Sequence, residues 1–79
     1  MTNKPLTTNP RNLKRANRVR IVLMYYKHQV LKESGPVEFA DLVDLLADMR
    51  HYADWKNECY GDADKTAHMH YLAELAGDE

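Results

Sequence analysis

The stretch DLVDLLADMRHYADW, Asp41 to Trp55, decides how the rest of the chain is read. Leu42, Val43, Leu46, Met49 and Ala53, preceded by Phe39, recur at steps of three and four, the spacing that aligns one face of a helix. Asp41, Asp44 and Asp48 fall on the other side, and at about 100° per residue Tyr52 and Trp55 project among them. The result is an amphipathic helix with an apolar face for a core and an outer face of carboxylates and aromatic rings. Trp beside carboxylates is the composition of an interface anchor. The bland alternative is that the helix stops before Trp55, or that a third helix folds across this side.

Upstream, Ser34-Gly35-Pro36 reads as the break that separates this helix from an earlier one, with Gly in the left-handed position past the helix end. The earlier helix begins well: Asn9 suits the N-cap and Pro10 the first helical position. Ala16, Val19, Leu23, Tyr26 and Val30 form its core seam, while Arg11, Arg18, Tyr25 and Lys32 repeat every seven residues on a basic flank beside Lys14. Pro36 opens the next helix, with Glu38 near its third position to meet the N-terminal dipole. Downstream, Asn57 to Gly61 reads as a loop in which Gly61 allows the tight turn, and Asp62 or Asp64 caps a third helix. Its inward stripe is Ala63, Ala67, Tyr71 and Leu75.

These elements predict an all-α, three-helix domain. Helices over about 10–33 and 36–56 form an antiparallel hairpin, and a shorter third helix over about 63–75 packs across it. Residues 1–9 read as a polar N-terminal tail and residues 10–79 as a single helical domain.

Net charge is −1, yet the average conceals a division. Residues 1–32 hold eight Lys or Arg and no acid, whereas residues 33–79 hold twelve acids and three Lys or Arg. The two halves either neutralise each other, within one chain or between two copies, or present separate fields to partners. A chain of 79 residues buries only about 60% of its unfolded surface, so docking or dimerisation is a natural source of stability. One cysteine, Cys59, permits no internal disulfide and suits a reducing cytoplasm, where it reads as a semi-buried thiol. The residues before Val19 carry no apolar run of the kind a signal peptide needs, and Ile21–Tyr26 is far too short to span a membrane.

Catalysis finds little support. The lone serine, Ser34, sits beside Gly-Pro, and no Gly-rich phosphate loop is present. Asp44, Asp48 and His51 share a helix face at metal-ligand spacing, but the plainer reading is a solvated acidic face. His68 and His70, two apart, diverge on a helix. No catalytic residue, metal ligand or cofactor is therefore expected. The basic helix is a stronger candidate: Arg11, Lys14, Arg15 and Arg18 crowd its first turns, and Arg and Lys are the side chains that meet phosphates. Against that stands a chain that is acidic overall, whereas a dedicated nucleic-acid binder is usually basic.

Two segments carry a resemblance. Asp44-Leu-Leu-Ala-Asp-Met-Arg-His-Tyr-Ala-Asp54 is followed by Ala67-His-Met-His-Tyr-Leu-Ala-Glu74, an A-x-x-H-Y-x-x-E pattern. Together they resemble a scattered group of small helical proteins encoded by bacteriophages and prophages, over roughly residues 37–74. That group usually carries Gly-x-Asp-Phe before its last helix, where this chain reads Asn-Glu-Cys-Tyr-Gly-Asp. What the resemblance implies is provenance: a phage accessory protein in the host cytoplasm. Such proteins commonly bind and block host machinery, CRISPR and other defence complexes included. The expectation is a stoichiometric inhibitor whose acidic face competes with nucleic acid for a host protein or nucleoprotein complex. Asp41, Asp44 and Asp48 would steer, and Tyr52 and Trp55 would anchor. The alternatives are a small nucleic-acid-binding regulator using the basic helix, and a self-associating structural protein, a homodimer, pairing its two charged halves.

Overall fold

The computed structural model describes residues 9–77, and three helices hold most of them. Helix α1 is Pro10–Tyr25, prolonged by a π-helical turn over Tyr26–Val30; α2 is Phe39–Trp55; α3 is Tyr60–Leu75. The described residues contain no strand, so the chain is all-α with three helices, as its periodicity requires. The polar tail expected over residues 1–9 lies, apart from Asn9, outside the described residues.

The start of α1 follows the sequence closely. Asn9 Oδ1 accepts the Arg11 N–H at 2.8 Å and the Asn12 N–H at 3.3 Å, and Pro10 occupies the first helical position. The end does not. The helix widens at Tyr26, whose carbonyl takes the Leu31 N–H from five residues on at 2.9 Å, and regular winding stops at Val30. Lys32 then adopts the left-handed conformation (φ 58°), three residues before Gly35 does so. Helix α2 starts at Phe39 and not at Pro36. Glu38 is its N-cap, and Asp41 turns back to accept the Glu38 N–H at 2.7 Å, forming a capping box.

Helix α2 ends in a Schellman arrangement. Asn57 takes the left-handed position (φ 56°), and the Glu58 N–H reaches the Ala53 carbonyl at 2.8 Å. Gly61, expected to make this turn, lies inside α3. The cap of α3 is neither Asp62 nor Asp64 but Cys59, whose Sγ accepts the Asp62 N–H at 3.4 Å and which is exposed, not semi-buried. The helix consequently begins three residues earlier than its acids suggest.

The largest departure lies in the packing. The helices meet at a few points and do not pack along their lengths. The last turn of α1 meets α2 through Lys27–Asp41 and Tyr26–Asp48. The end of α2 meets the start of α3, where the Arg50 guanidinium lies 4.3 Å from the Tyr60 ring centre. The end of α3 returns to the start of α1: Glu74 pairs with Arg15 at 3.3 Å, and its carbonyl accepts Asn12 Nδ2 at 3.2 Å. Three corners are closed, and the sides between them stay open.

Consequently, of the apolar stripes expected to form the core, only Leu23 and Ala53 are buried among the described residues. Leu42, Val43, Leu46 and Met49 remain exposed on α2, as do Val19 and Val30 on α1 and Tyr71 and Leu75 on α3. The small residues Ala16, Ala63 and Ala67 are exposed as well.

Candidate interaction surface around helix α2

Helix α2 divides its acids between two tasks. Asp41 is buried, because as the third residue of the helix its carboxylate reaches back to the Glu38 N–H and across to Lys27 Nζ, 3.0 Å away. The outer position expected for it is thus corrected: Asp41 faces α1. The Glu38 N–H bond, and then the Lys27 ammonium, hold its carboxyl below the usual carboxylate range. Lys27 is itself buried and spends a second proton on the Pro36 carbonyl at 2.9 Å, while His28 Nε2 donates to the Gly35 carbonyl at 2.7 Å. The α1–α2 connection is therefore pinned by side chains of the π-helical turn.

Asp48 stays exposed but turns toward α1, accepting the Tyr26 hydroxyl proton. That bond, assisted by partial burial and the nearby charge of Asp48, pushes the Tyr26 hydroxyl up to about 12. Asp44 stays exposed as well. So do Tyr52 and Trp55, at 57% and 77% of their full areas. Their rings lie 6.0 Å apart at 58°, a tilted pair, and Lys56 Nζ sits 5.5 Å from the Trp55 ring centre. The helix does include Trp55, and α3 does not fold across it. Of the five residues singled out on this helix, the structure leaves Asp44, Asp48, Tyr52 and Trp55 at the surface, Asp48 engaged by Tyr26, and buries Asp41.

The basic stripe divides as well. Arg11, Lys14 and Arg18 are exposed and make no ion pair within the described residues, while Arg15 is drawn in by Glu74 and by Asn12 Oδ1 at 2.7 Å. Among the described residues, front and back halves therefore pair inside one chain through Arg15–Glu74 and Lys27–Asp41. The described residues contain no group of three His, Cys, Asp or Glu able to hold a metal, and no helix long and apolar enough to cross a membrane. A shallow recess at the α2–α3 corner is lined by Met49, Tyr52, Ala53, Cys59 and Tyr60.

Sequence reasoning missed Phe39. Assigned to the core seam, it is the most exposed large apolar residue described, at 80%. With the helix expected to start at Pro36, nothing in the sequence marked Phe39 as its first residue, which is where the structure puts it. No family model matches the chain, and neither curated proteins nor solved structures yield a match.

Proposed function

We propose that this chain works by stoichiometric binding, as a phage-type accessory protein that occupies a host protein or nucleoprotein complex and blocks it. The observation that carries the reading is the exposure of Trp55 beside Tyr52, with the exposed carboxylate of Asp44 on the same face of α2. An exposed Trp–Tyr pair offers about 150–250 Å² per ring at little cost in side-chain entropy, which suits an anchor in a partner's pocket. Asp44, roughly two to three turns back along the same face, favours a basic surface, of the kind that ordinarily holds nucleic acid. The resemblance to small phage proteins over residues 37–74 supports the same reading and supplies the class of target. Binding of this kind requires neither cofactor nor metal.

The test is a pull-down from bacterial host lysate with wild type, Trp55→Ala and Asp44→Ala, helicity being checked in each. A retained partner that the Trp55 variant loses, and that added nucleic acid displaces, is the expected result. Equal capture by all three would sink the reading.

A second reading rests on Arg11, Lys14 and Arg18, which lie exposed along one side of α1. A small nucleic-acid-binding regulator would use them against phosphates, and its affinity would fall steeply with salt. A gel-shift titration across salt separates the two, since a competitor of nucleic acid shows no such affinity.

A further inference from the structure

The cations of α1 and its π-helical turn are divided by what meets them. Arg15 is held by Glu74 and Lys27 by Asp41, each across to another helix. Arg20 turns to Asn17 and to Met24 Sδ on its own helix. Arg11, Lys14 and Arg18 remain exposed and make no ion pair within the described residues. At about 100° per residue these three fall within an arc of about 60°, roughly a quarter-turn round the helix from Asn12 and Arg15, where α3 arrives. No acid stands among residues 1–32, so the helix supplies nothing of its own to neutralise them.

Tyr25 lies in the same arc. It follows Arg18 by seven residues, as Arg18 follows Arg11, which sets it on the line of cations about 10 Å beyond the last of them. The residue is 64% exposed, and its hydroxyl has no hydrogen-bond partner among the described residues. Tyr26, one residue on, turns instead to Asp48.

We infer that this side of α1 binds a single strand of nucleic acid, with phosphates on Arg11, Lys14 and Arg18 and an unstacked base on the Tyr25 ring. The inference rests on the second of the two readings above and names the form of nucleic acid that it leaves open. Cations alone would suit any polyanion. The ring at the end of the row is what selects, because a tyrosine face gives a base something to stack on, and a base inside a duplex is not available to it. The narrowness of the row selects in the same sense. A helix seated in a major groove has a phosphate backbone on either side. Cations confined to about 60° follow one backbone only, and the residues that edge this arc, Ile21 and Val22, are apolar and exposed.

The test is fluorescence anisotropy of a labelled oligothymidine of about twelve nucleotides, and of a duplex of the same length, titrated with the full chain. Wild type should bind the single strand more tightly than the duplex. The logarithm of its affinity should fall against log salt with a slope of about −2, from three phosphate contacts at about 0.7 each. Arg18→Gln should weaken binding and make the slope shallower by about 0.7. Tyr25→Ala should weaken it at least about fivefold at unchanged slope, while Tyr25→Phe retains it. Both positions are exposed, and helicity checks that each variant folds. Affinity for neither oligonucleotide at low salt overturns the inference together with the reading it rests on. Duplex binding as tight as single-strand binding, or indifference to Tyr25→Ala, overturns the inference alone and leaves that reading standing. Binding that Arg18→Gln leaves unchanged overturns the choice of site.

Discussion

Lys27 and Asp41 meet at 3.0 Å, and each holds a helix end in place: Asp41 caps α2, while Lys27, from the last turn of α1, also binds the Pro36 carbonyl between them. One buried ion pair therefore sets how α2 leaves α1. Removing one partner strands the other without compensation, the costly way to break such a pair. Lys27→Met should lower the melting temperature by several degrees. Lys27→Met with Asp41→Asn, which removes the stranded charge but keeps an acceptor for Glu38, should recover part of the loss. Equal melting of single and double variants would contradict the role.

The same carboxylate predicts the acid limb of stability. Its folded pKa lies below the unfolded value, through the Glu38 N–H first and Lys27 second. The folded state then binds its proton less readily than the unfolded chain. Its contribution is present above the unfolded value, about 3.9, and is lost as pH falls through the folded one. Asp41→Asn should flatten melting temperature against pH on the acid side.

Tyr26 predicts the alkaline limb with the opposite sense. Raised to about 12 by its bond to Asp48, the hydroxyl stays protonated in the folded chain after the unfolded chain has ionised. Its contribution is complete below the unfolded value near 10 and disappears as pH rises through the folded one. Tyr26→Phe should remove that slope. The phenolate absorbance of the wild type should include a step near 12 that Tyr26→Phe removes.

Leu23 is the one large apolar side chain that the described residues bury, at 8% exposure. Leu23→Ala should cost about 2–3 kcal/mol, the lower part of the range for buried leucines, because its surroundings are open enough to relax. Chemical denaturation would measure this directly.

Trp55→Ala should separate stability from binding. With 77% of the residue exposed, truncation should change stability by less than about 0.5 kcal/mol. If Trp55 anchors a partner, affinity should fall by at least about 2 kcal/mol, roughly thirtyfold.

Cys59→Ser should strengthen α3. A thiol is a weak acceptor for the Asp62 N–H at 3.4 Å, whereas a hydroxyl is a favoured N-cap, and the gain should be about 0.5 kcal/mol. Helicity and melting temperature would both report it.

Periodicity disclosed the helices because each keeps an apolar stripe at a spacing of three and four, and Asn9-Pro10 disclosed one start because its cap is local. Ends decided by long-range bonds were hidden. Glu38 caps α2 because Asp41 turns back to it, and Asp41 is held there by Lys27, fourteen residues away. Lys32 and Asn57 took left-handed positions that composition assigns to Gly35 and Gly61; of those two, only Gly35 is left-handed as well. The outer face of α2 was half legible. Trp55 and Tyr52 emerge where the helical angle puts them, but a carboxylate on that side is equally able to face a neighbouring helix, and Asp48 does so toward Tyr26. Burial failed to follow the stripes because a stripe records which side seeks cover, not which molecule provides it.

The clasp of Glu74 on Asn12 and Arg15 has a practical consequence. It brings the beginning and the end of the helical frame to a single corner, away from Trp55. A short flexible linker could join those ends and new termini be opened at the Asn57 turn, where the backbone is exposed. Such a circularly permuted chain should keep all three corners, whereas a cut within the Lys27–Asp41 connection should not.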